Sequence, residues 1–491
     1  MRDTEEQKFA TDLASKHDSL IVNAAAGAGK SHLLRRIATT QHGRFLYLTF
    51  SRMLADEAKR SFPRNAECMT AHGFAFNRLD GRSKLVNKLN RKMTGDLGSE
   101  LLGIEGRSED KEQIVAILVS AIEAFSISAD ERILHHHLPD VDLTPAQKER
   151  YIGFSRDLWA LMSSRTNNIP ITHDMYLKLF QLRKEDLHGQ YDCILADEGQ
   201  DFSPVMLEII KQSRCRRVVV GDRHQQIYSF RGSVNALDAF PDSSDAVLSQ
   251  SFRYGEEVAE FANIVLGFKR KPPNFTIRGT SSHKSKAIVG NPLDLPFEDE
   301  QHTLIGRTNA ALFETAMYIT SMMPNLKLNF VSGLQRFLRP IEQCFNLWMG
   351  NLEAIHDYPY KRYKSYELFS KSVTFHHPDL EWLCRLFSEF GDDVLGMAKA
   401  VEANVVEDPR RAAIVFGTAH STKGREFNRV VLLEDFRSPI ELESSRSEKI
   451  AAGEWTDKDE VAHEEEINML YVAGTRAREL LVVPVKIADN L

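Results

Sequence analysis

Eight mostly small residues near the start of the chain carry its clearest chemistry. In Ala24-Ala-Ala-Gly-Ala-Gly-Lys30-Ser31 the glycines, lysine and hydroxyl stand at the spacing of a phosphate-cradling P-loop, with Ala24 where a first glycine is usual. Gly27 and Gly29, with Ala26 and Ala28 beside them, let successive backbone N–H groups wrap phosphate oxygens. The helix that follows adds partial positive charge at its first turn. Lys30 then reaches the β/γ oxygens and the Ser31 hydroxyl can ligate Mg²⁺. The competing reading, a Gly/Ala turn with a chance lysine, is disfavoured by context: an apolar run, Leu20-Ile-Val, precedes the octet and apolar residues at helical spacing follow it.

Phosphoryl transfer also needs a metal carboxylate and a group that orients water. Asp197-Glu198 closes the apolar run Cys193–Ala196, and such a pair alone is usually a solvated turn. Downstream of a P-loop strand it supplies both needs, Asp197 to Mg²⁺ and Glu198 to the attacking water. The loop Gly221–Gly232 ends a further strand and offers Gln225 as a γ-phosphate sensor. Arg253, in Leu248-Ser-Gln-Ser-Phe-Arg, and Arg476, in Leu470-Tyr-Val-Ala-Gly-Thr-Arg, are candidate arginine fingers. Each taken singly reads as a surface arginine, so their weight comes from the set. A P-loop does not by itself separate a kinase from a GTPase or a motor.

Apolar strands alternating with helical patterns position these groups, which predicts an α/β fold with two P-loop-type parallel-sheet domains. Residues 1–76 and 166–240 are expected to form the first and 241–332 with 409–491 the second. Helical insertions are expected at 77–165 and, in reduced form, at 333–408. Strand-like segments of the second half are Ala246-Val-Leu, His302–Arg307, Ala413–Thr418, Val430–Glu434 and Glu479–Val485.

The length of 491 residues allows about three folding units. A net charge of −7 excludes a uniformly basic surface but not a local basic groove. Five scattered cysteines without a CxxC pair suggest neither a disulfide framework nor a zinc ribbon. No apolar run approaches the ~20 residues that span a bilayer. An untargeted intracellular chain without membrane partners is expected, cytoplasmic and nucleoid-associated in a prokaryote.

The ordered set of motifs resembles the UvrD/Rep-like superfamily 1A helicases over nearly the whole chain, and several segments look closest to the F-box DNA helicase branch, although no F-box fits ahead of Gln7. Gln7 resembles the upstream glutamine that reads adenine. Asp197-Glu-Gly-Gln-Asp201 resembles the family's DEAQD, with Gly199 in place of alanine. Gly221–Gly232 resembles GDxxQxIYxFRG, and Thr418-Ala-His-Ser-Thr-Lys-Gly-Arg-Glu-Phe427 resembles TxHxxKGxEF. The resemblance implies two RecA-like domains binding ATP and Mg²⁺. Phe252 would pack on adenine, Arg253 and Arg476 would act as fingers, Gly424 would adjoin the nucleotide and Glu426 would contact ribose. It also implies single-stranded DNA contacts from Phe50, Arg52, Thr70, His72, Phe74, Tyr228, Phe230, Arg231, Thr418 and His420, and 3′→5′ movement.

Non-specific strand binding uses stacked aromatics with basic residues tracking phosphates. Phe50, Phe74, Tyr228 and Phe230 are the stacking candidates, against ordinary core packing as the alternative. Arg82–Lys92 and Tyr360–Lys364 are basic stretches that fit duplex DNA or a solvated helix face equally well. His135-His136-His137 is assigned no role, because three adjacent imidazoles diverge on a helix. The expected function is an ATP-dependent translocase and 3′–5′ helicase in DNA repair, recombination or genome defence, acting on single strands and single/double-strand junctions as a monomer. Protein stripping without unwinding is one alternative. An ATP-gated switch subunit, whose partner protein carries a nuclease or effector activity, is the other.

Overall fold

In the computed structural model of the chain, residues 3–79, 82–89, 91, 93–164, 166–228, 232, 234–282, 284–357, 360–376 and 380–488 are described. They form two compact units, Met1–Ser249 and Gln250–Leu491.

The first unit is built on β1 (Ser19–Ala24), β2 (Phe45–Thr49), β3 (Ala66–Thr70), β4 (Cys193–Asp197), β5 (Arg216–Gly221) and β6 (Ser244–Leu248). Their order is β3-β2-β4-β5-β1-β6, and every pairing is parallel. β2 and β4 are buried at every residue, as expected for strands covered by helices on both faces. Register places Asn23 opposite Gly221 and Thr49 opposite Asp197. The carboxyl ends of β1, β2, β4 and β5 therefore reach one edge of the sheet, where ligands of such sheets bind.

One expectation is corrected. Ser244–Leu248 does not belong to the second sheet but pairs with β1 in the first, Ala246 opposite Val22, and the first unit runs to Ser249 rather than ending at 240. The physical reason is that β1 is buried, so the backbone groups on its free edge need a ladder partner. The same region is tied to α1 (Glu5–Lys16), whose Glu6 accepts hydrogen bonds from the Ser249 N–H and hydroxyl at 2.8 and 2.5 Å.

Three further helices, α2 (Lys30–Thr40), α3 (Arg52–Ser61) and α4 (Ala71–Arg78), alternate with the first strands. Then come α5 (Arg82–Leu89), α6 (Gly95–Leu102), α7 (Ser108–Ile127), α8 (Pro145–Ser163) and α9 (His173–Gln181), with no strand between them among the described residues. These helices enclose their own core of Leu118, Ile122, Phe125, Leu158, Met162 and Met175, separate from the core beneath the sheet.

The second unit carries β7 (Lys286–Val289), β8 (His302–Gly306), β9 (Leu328–Phe330), β10 (Ile414–Thr418), β11 (Phe427–Leu432) and β12 (Ala477–Val483), again all parallel, in the order β7-β12-β11-β8-β10-β9. The edge strands β7 and β9 are too short to be legible in sequence. Helices Gln335–Trp348, Tyr366–His376, Glu381–Phe390 and Asp393–Asn404 interrupt this sheet. Unlike the first insertion they share one continuous core with it, in which Phe337 stacks on Phe313 and Phe330 stacks on Phe416.

Candidate functional site

β1 delivers the chain into a loop that only glycine can close comfortably. Gly27 and Gly29 sit at φ 75° and 82°, in the left-handed region that side chains disfavour. Gly29 is also the N-cap of α2 and offers no side-chain cap, so the helix's first N–H groups face the loop without one. Two braces fix the loop from outside. The Ala25 N–H donates to the Leu248 carbonyl at 2.9 Å, so β6 holds one side. Gln7, buried in the first turn of α1 by a capping box with Thr4, donates from Nε2 to the Ala28 carbonyl at 3.4 Å.

The polar groups expected to converge here do so. Lys30 Nζ lies 3.1 Å from Glu198 Oε2. The Ser31 hydroxyl donates to Asp197 Oδ2 at 2.8 Å, and Tyr47 donates to the same oxygen at 2.7 Å. Gln200 Nε2 donates to Glu198 Oε2 at 2.6 Å, while its Oε1 accepts the Asp222 N–H at 3.0 Å. Gln225 Nε2 donates to Asp222 Oδ2 at 2.8 Å. Burial works to lower the Lys30 pKa, but the surrounding carboxylates of Glu198, Asp222 and Asp197 outweigh it and hold the ammonium above its ordinary value. Burial, reinforced by the Glu198 charge, raises the Asp197 carboxyl despite Lys30. A hydroxyl and a carboxylate touching one another, both hard oxygen donors, fit Mg²⁺, and a buried lysine beside a glycine-rich loop fits the phosphates it would accompany.

Tyr47 is a part of this cluster that sequence reading missed, and Gln200 and Asp222 stood within the quoted motifs without a role of their own. For Tyr47 a signal existed, a phenol between two leucines in the apolar run of β2. Glu198 itself occupies φ 56°, a strained conformation for a side-chain-bearing residue. The neighbouring Gly199 has a packing cause: a Cβ there would come within 2.7 Å of Val219 Cγ1. Gly199→Ala, which installs the alanine usual in that motif, should therefore cost about 1–3 kcal/mol, measured by urea unfolding, and Val219→Ala in the same chain should recover most of it.

In the second unit Arg253 donates from Nε to Glu426 at 2.9 Å and from a terminal nitrogen to the Thr475 carbonyl at 3.0 Å. Burial pushes Glu426 up, yet Arg253 prevails and holds its carboxyl below the ordinary value. The residue expected to contact ribose is thus engaged with an arginine. Arg476 is fully buried and donates to the carbonyls of Val472 and Arg425 and to the Thr475 hydroxyl. Phe252 is half-buried beside Arg253, and Gly424 is exposed at φ 80°. Thr418 caps the short helix that carries His420, accepting the Ser421 N–H at 3.2 Å.

The expected DNA residues of the first unit divide into two groups. Phe50, His72 and Tyr228 line a cavity of about 590 Å³ together with Ile127, Asp174 and Asp201. Phe50 is 39% exposed and meets His72 edge-on, and His72 Nε2 lies 2.9 Å from Asp174 Oδ1. Arg52 opens α3 with an exposed side chain, and Thr70 caps α4 through the Gly73 N–H. Phe74 is the correction: at 2% exposure it packs edge-on to Phe180, inside the core under the sheet, because it lies on the inward face of α4. Phe230 and Arg231 lie outside the described residues. Phe50→Ala should weaken single-strand binding by about 1–3 kcal/mol without loss of stability. Phe74→Ala should instead cost about 3–5 kcal/mol of stability. Fluorescence anisotropy with a labelled oligonucleotide and urea unfolding separate the two.

The chain matches the family models for the UvrD/REP helicase N-terminal domain at residues 3–239 and the UvrD-like helicase C-terminal domain at 392–486. It is similar to F-box DNA helicase 1 of Gallus gallus, at 29% identity over 98% of this chain and 48% of that protein. It is also similar to F-box DNA helicase protein 1 of Schizosaccharomyces pombe, at 28% over 98% and 57%. A probable DNA helicase II homolog of Mycoplasma pneumoniae matches at 24% identity over 58% of this chain and 45% of its own length. The chain spans about half the length of the curated relatives it matches.

Proposed function

Because the chain belongs to the UvrD-like helicases, we propose that it is an ATP-dependent DNA helicase that moves 3′→5′ along single-stranded DNA and acts in repair, recombination or genome defence. The observation that carries this reading is the convergence, in one unit, of Lys30, Ser31, Asp197 and Glu198 at the glycine loop, with the aromatic cavity of Phe50, His72 and Tyr228 in the same unit.

ATP with Mg²⁺ supplies the phosphoanhydride whose hydrolysis drives the cycle. The loop N–H groups and Lys30 hold the phosphates, Ser31 and Asp197 hold the metal, and Gln7 fixes the loop from behind. Glu198 accepts a proton from the attacking water, while Gln200 and the strained backbone orient its carboxylate. Gln225 reports on the site through Asp222. Arg253 and Arg476 of the second unit are proposed to neutralise charge that develops in the transition state. Phe50 and Tyr228 give bases a stacking surface, so opening and closing of the nucleotide site advances the strand past them. The ligands proposed are single strands and single/double-strand junctions, bound by a monomer.

The test is steady-state ATP hydrolysis with and without single-stranded DNA at two salt concentrations, paired with displacement of a labelled strand from duplexes bearing a 3′ or a 5′ tail. Salt-sensitive stimulation and displacement from the 3′-tailed duplex alone are expected. Stimulation without displacement would identify a protein-stripping translocase. Absence of hydrolysis in every condition would make the chain an ATP-gated switch subunit.

A further inference from the structure

His135-His136-His137 form a 3-10 turn rather than part of an α-helix, and this changes where their rings go. The ring centroids of His136 and His137 lie 4.2 Å apart. Both Nε2 atoms reach the same oxygen, Oδ2 of Asp130, at 2.8 and 3.0 Å, from the loop that follows α7. One donor atom from each of the three residues falls within 4.8 Å of the others. His135 turns away, its Nε2 3.0 Å from Glu149.

We propose that Asp130, His136 and His137 bind one divalent transition-metal ion of the zinc class, stapling the end of α7 to the turn that packs against it. Two imidazole nitrogens and one carboxylate oxygen form the donor set of borderline ions such as Zn²⁺, whereas Mg²⁺ prefers oxygens alone. Bonds of about 2.0–2.1 Å in a tetrahedron set donors roughly 3.3 Å apart. The observed N–O separations need widen by only a few tenths of an ångström. The protons now shared with the carboxylate would leave as the ion enters.

The surroundings favour the ion in two ways. His137 Nδ1 accepts the Leu134 N–H at 2.9 Å and lies 3.2 Å from the Leu134 carbonyl, so with Nε2 on the metal the proton moves to Nδ1 and the first bond is exchanged for one donated to that carbonyl, a device that fixes ligand imidazoles. The His137 side chain is 2% exposed and that of His136 is 62% exposed, which gives the site a fixed back wall and an open side for entry and for water as fourth ligand. The neighbouring Lys178 ammonium spends its hydrogen bonds on the carbonyl oxygens of Ser128 and Asp130 and lies over the Phe125 ring, although its charge is felt by the Asp130 carboxylate and by His137. Sequence spacing hid the site because Asp130 precedes the histidines across a loop.

The experiment is Zn²⁺ titration of the chelator-treated full chain, without nucleotide, against a chromophoric competitor, with Co²⁺ absorption as a second readout. One ion per chain is expected. Binding should weaken at least tenfold in Asp130→Asn and in His136→Ala and remain unchanged in His135→Ala, with far-UV circular dichroism of all variants matching the parent. Zn²⁺ should raise the thermal midpoint of the parent and of His135→Ala only. Absence of binding, binding that survives both substitutions, or equal loss in His135→Ala, as for a generic surface histidine tract, would each overturn the proposal.

Discussion

Glu198→Gln should lower ATP hydrolysis by about 10³-fold, within the range for loss of a general base, while nucleotide binding persists. The amide has the volume of the carboxylate and can still accept the Gln200 hydrogen bond, so the loop and its braces stay as they are. Lys30→Ala should also abolish hydrolysis but by a different route, with a second signature. Its ammonium is the cation set among Glu198, Asp222 and Asp197, and removing one partner of a buried ionic group costs about 3–5 kcal/mol. The lysine variant should therefore unfold at lower urea than the parent, and the glutamine variant, which leaves Lys30 between the Asp222 and Asp197 carboxylates, should lose less. Single-turnover hydrolysis with parallel unfolding curves checks both. Near-parental turnover in Glu198→Gln would remove this residue from the chemistry.

Arg253→Ala should cost about 10³-fold in DNA-stimulated turnover, at the lower end of what an arginine finger contributes. Arg253 is held in two directions, by Glu426 and by the Thr475 carbonyl, so its guanidinium is oriented before any nucleotide arrives. That geometry also assigns a measurable consequence to Glu426→Ala. If the carboxylate serves to aim Arg253, kcat falls and KM changes little; if it grips ribose, KM rises and kcat is kept. An unchanged kcat in Arg253→Ala would show that the arginine serves packing within the second unit.

The proposed nucleotide site was legible because its parts are local: a glycine loop, a strand running into two carboxylates and a loop carrying a glutamine each state their chemistry within a few residues. What remained hidden depended on register and depth. Tyr47 reaches Asp197 only because β2 lies beside β4, and Asp174 reaches His72 across 102 residues of sequence. Phe74 has the same neighbours in sequence as a stacking residue would, and only the face of α4 on which it lies decides that it is core. Ser244–Leu248 reads as the opening of a new domain because it follows a long loop, whereas the unpaired edge of β1 claims it. Fold class followed from the alternation of strands and helices, but the fused core of the second insertion rests on aromatic contacts that no periodicity encodes.

The strand order of the first sheet carries a consequence for biosynthesis. β1 leaves the ribosome first, yet its two neighbours, β5 and β6, begin only at Arg216 and Ser244. Until then the nascent chain holds an apolar strand without a ladder, while the helices between Arg82 and Gln181 can already collapse around their own core. Such long-range pairing is slow and leaves apolar segments open to aggregation. The glycine loop is thus among the last features of its unit to acquire shape, and ribosome-stalled chains should become able to retain ATP only once translation has passed Leu248, whose carbonyl anchors that loop.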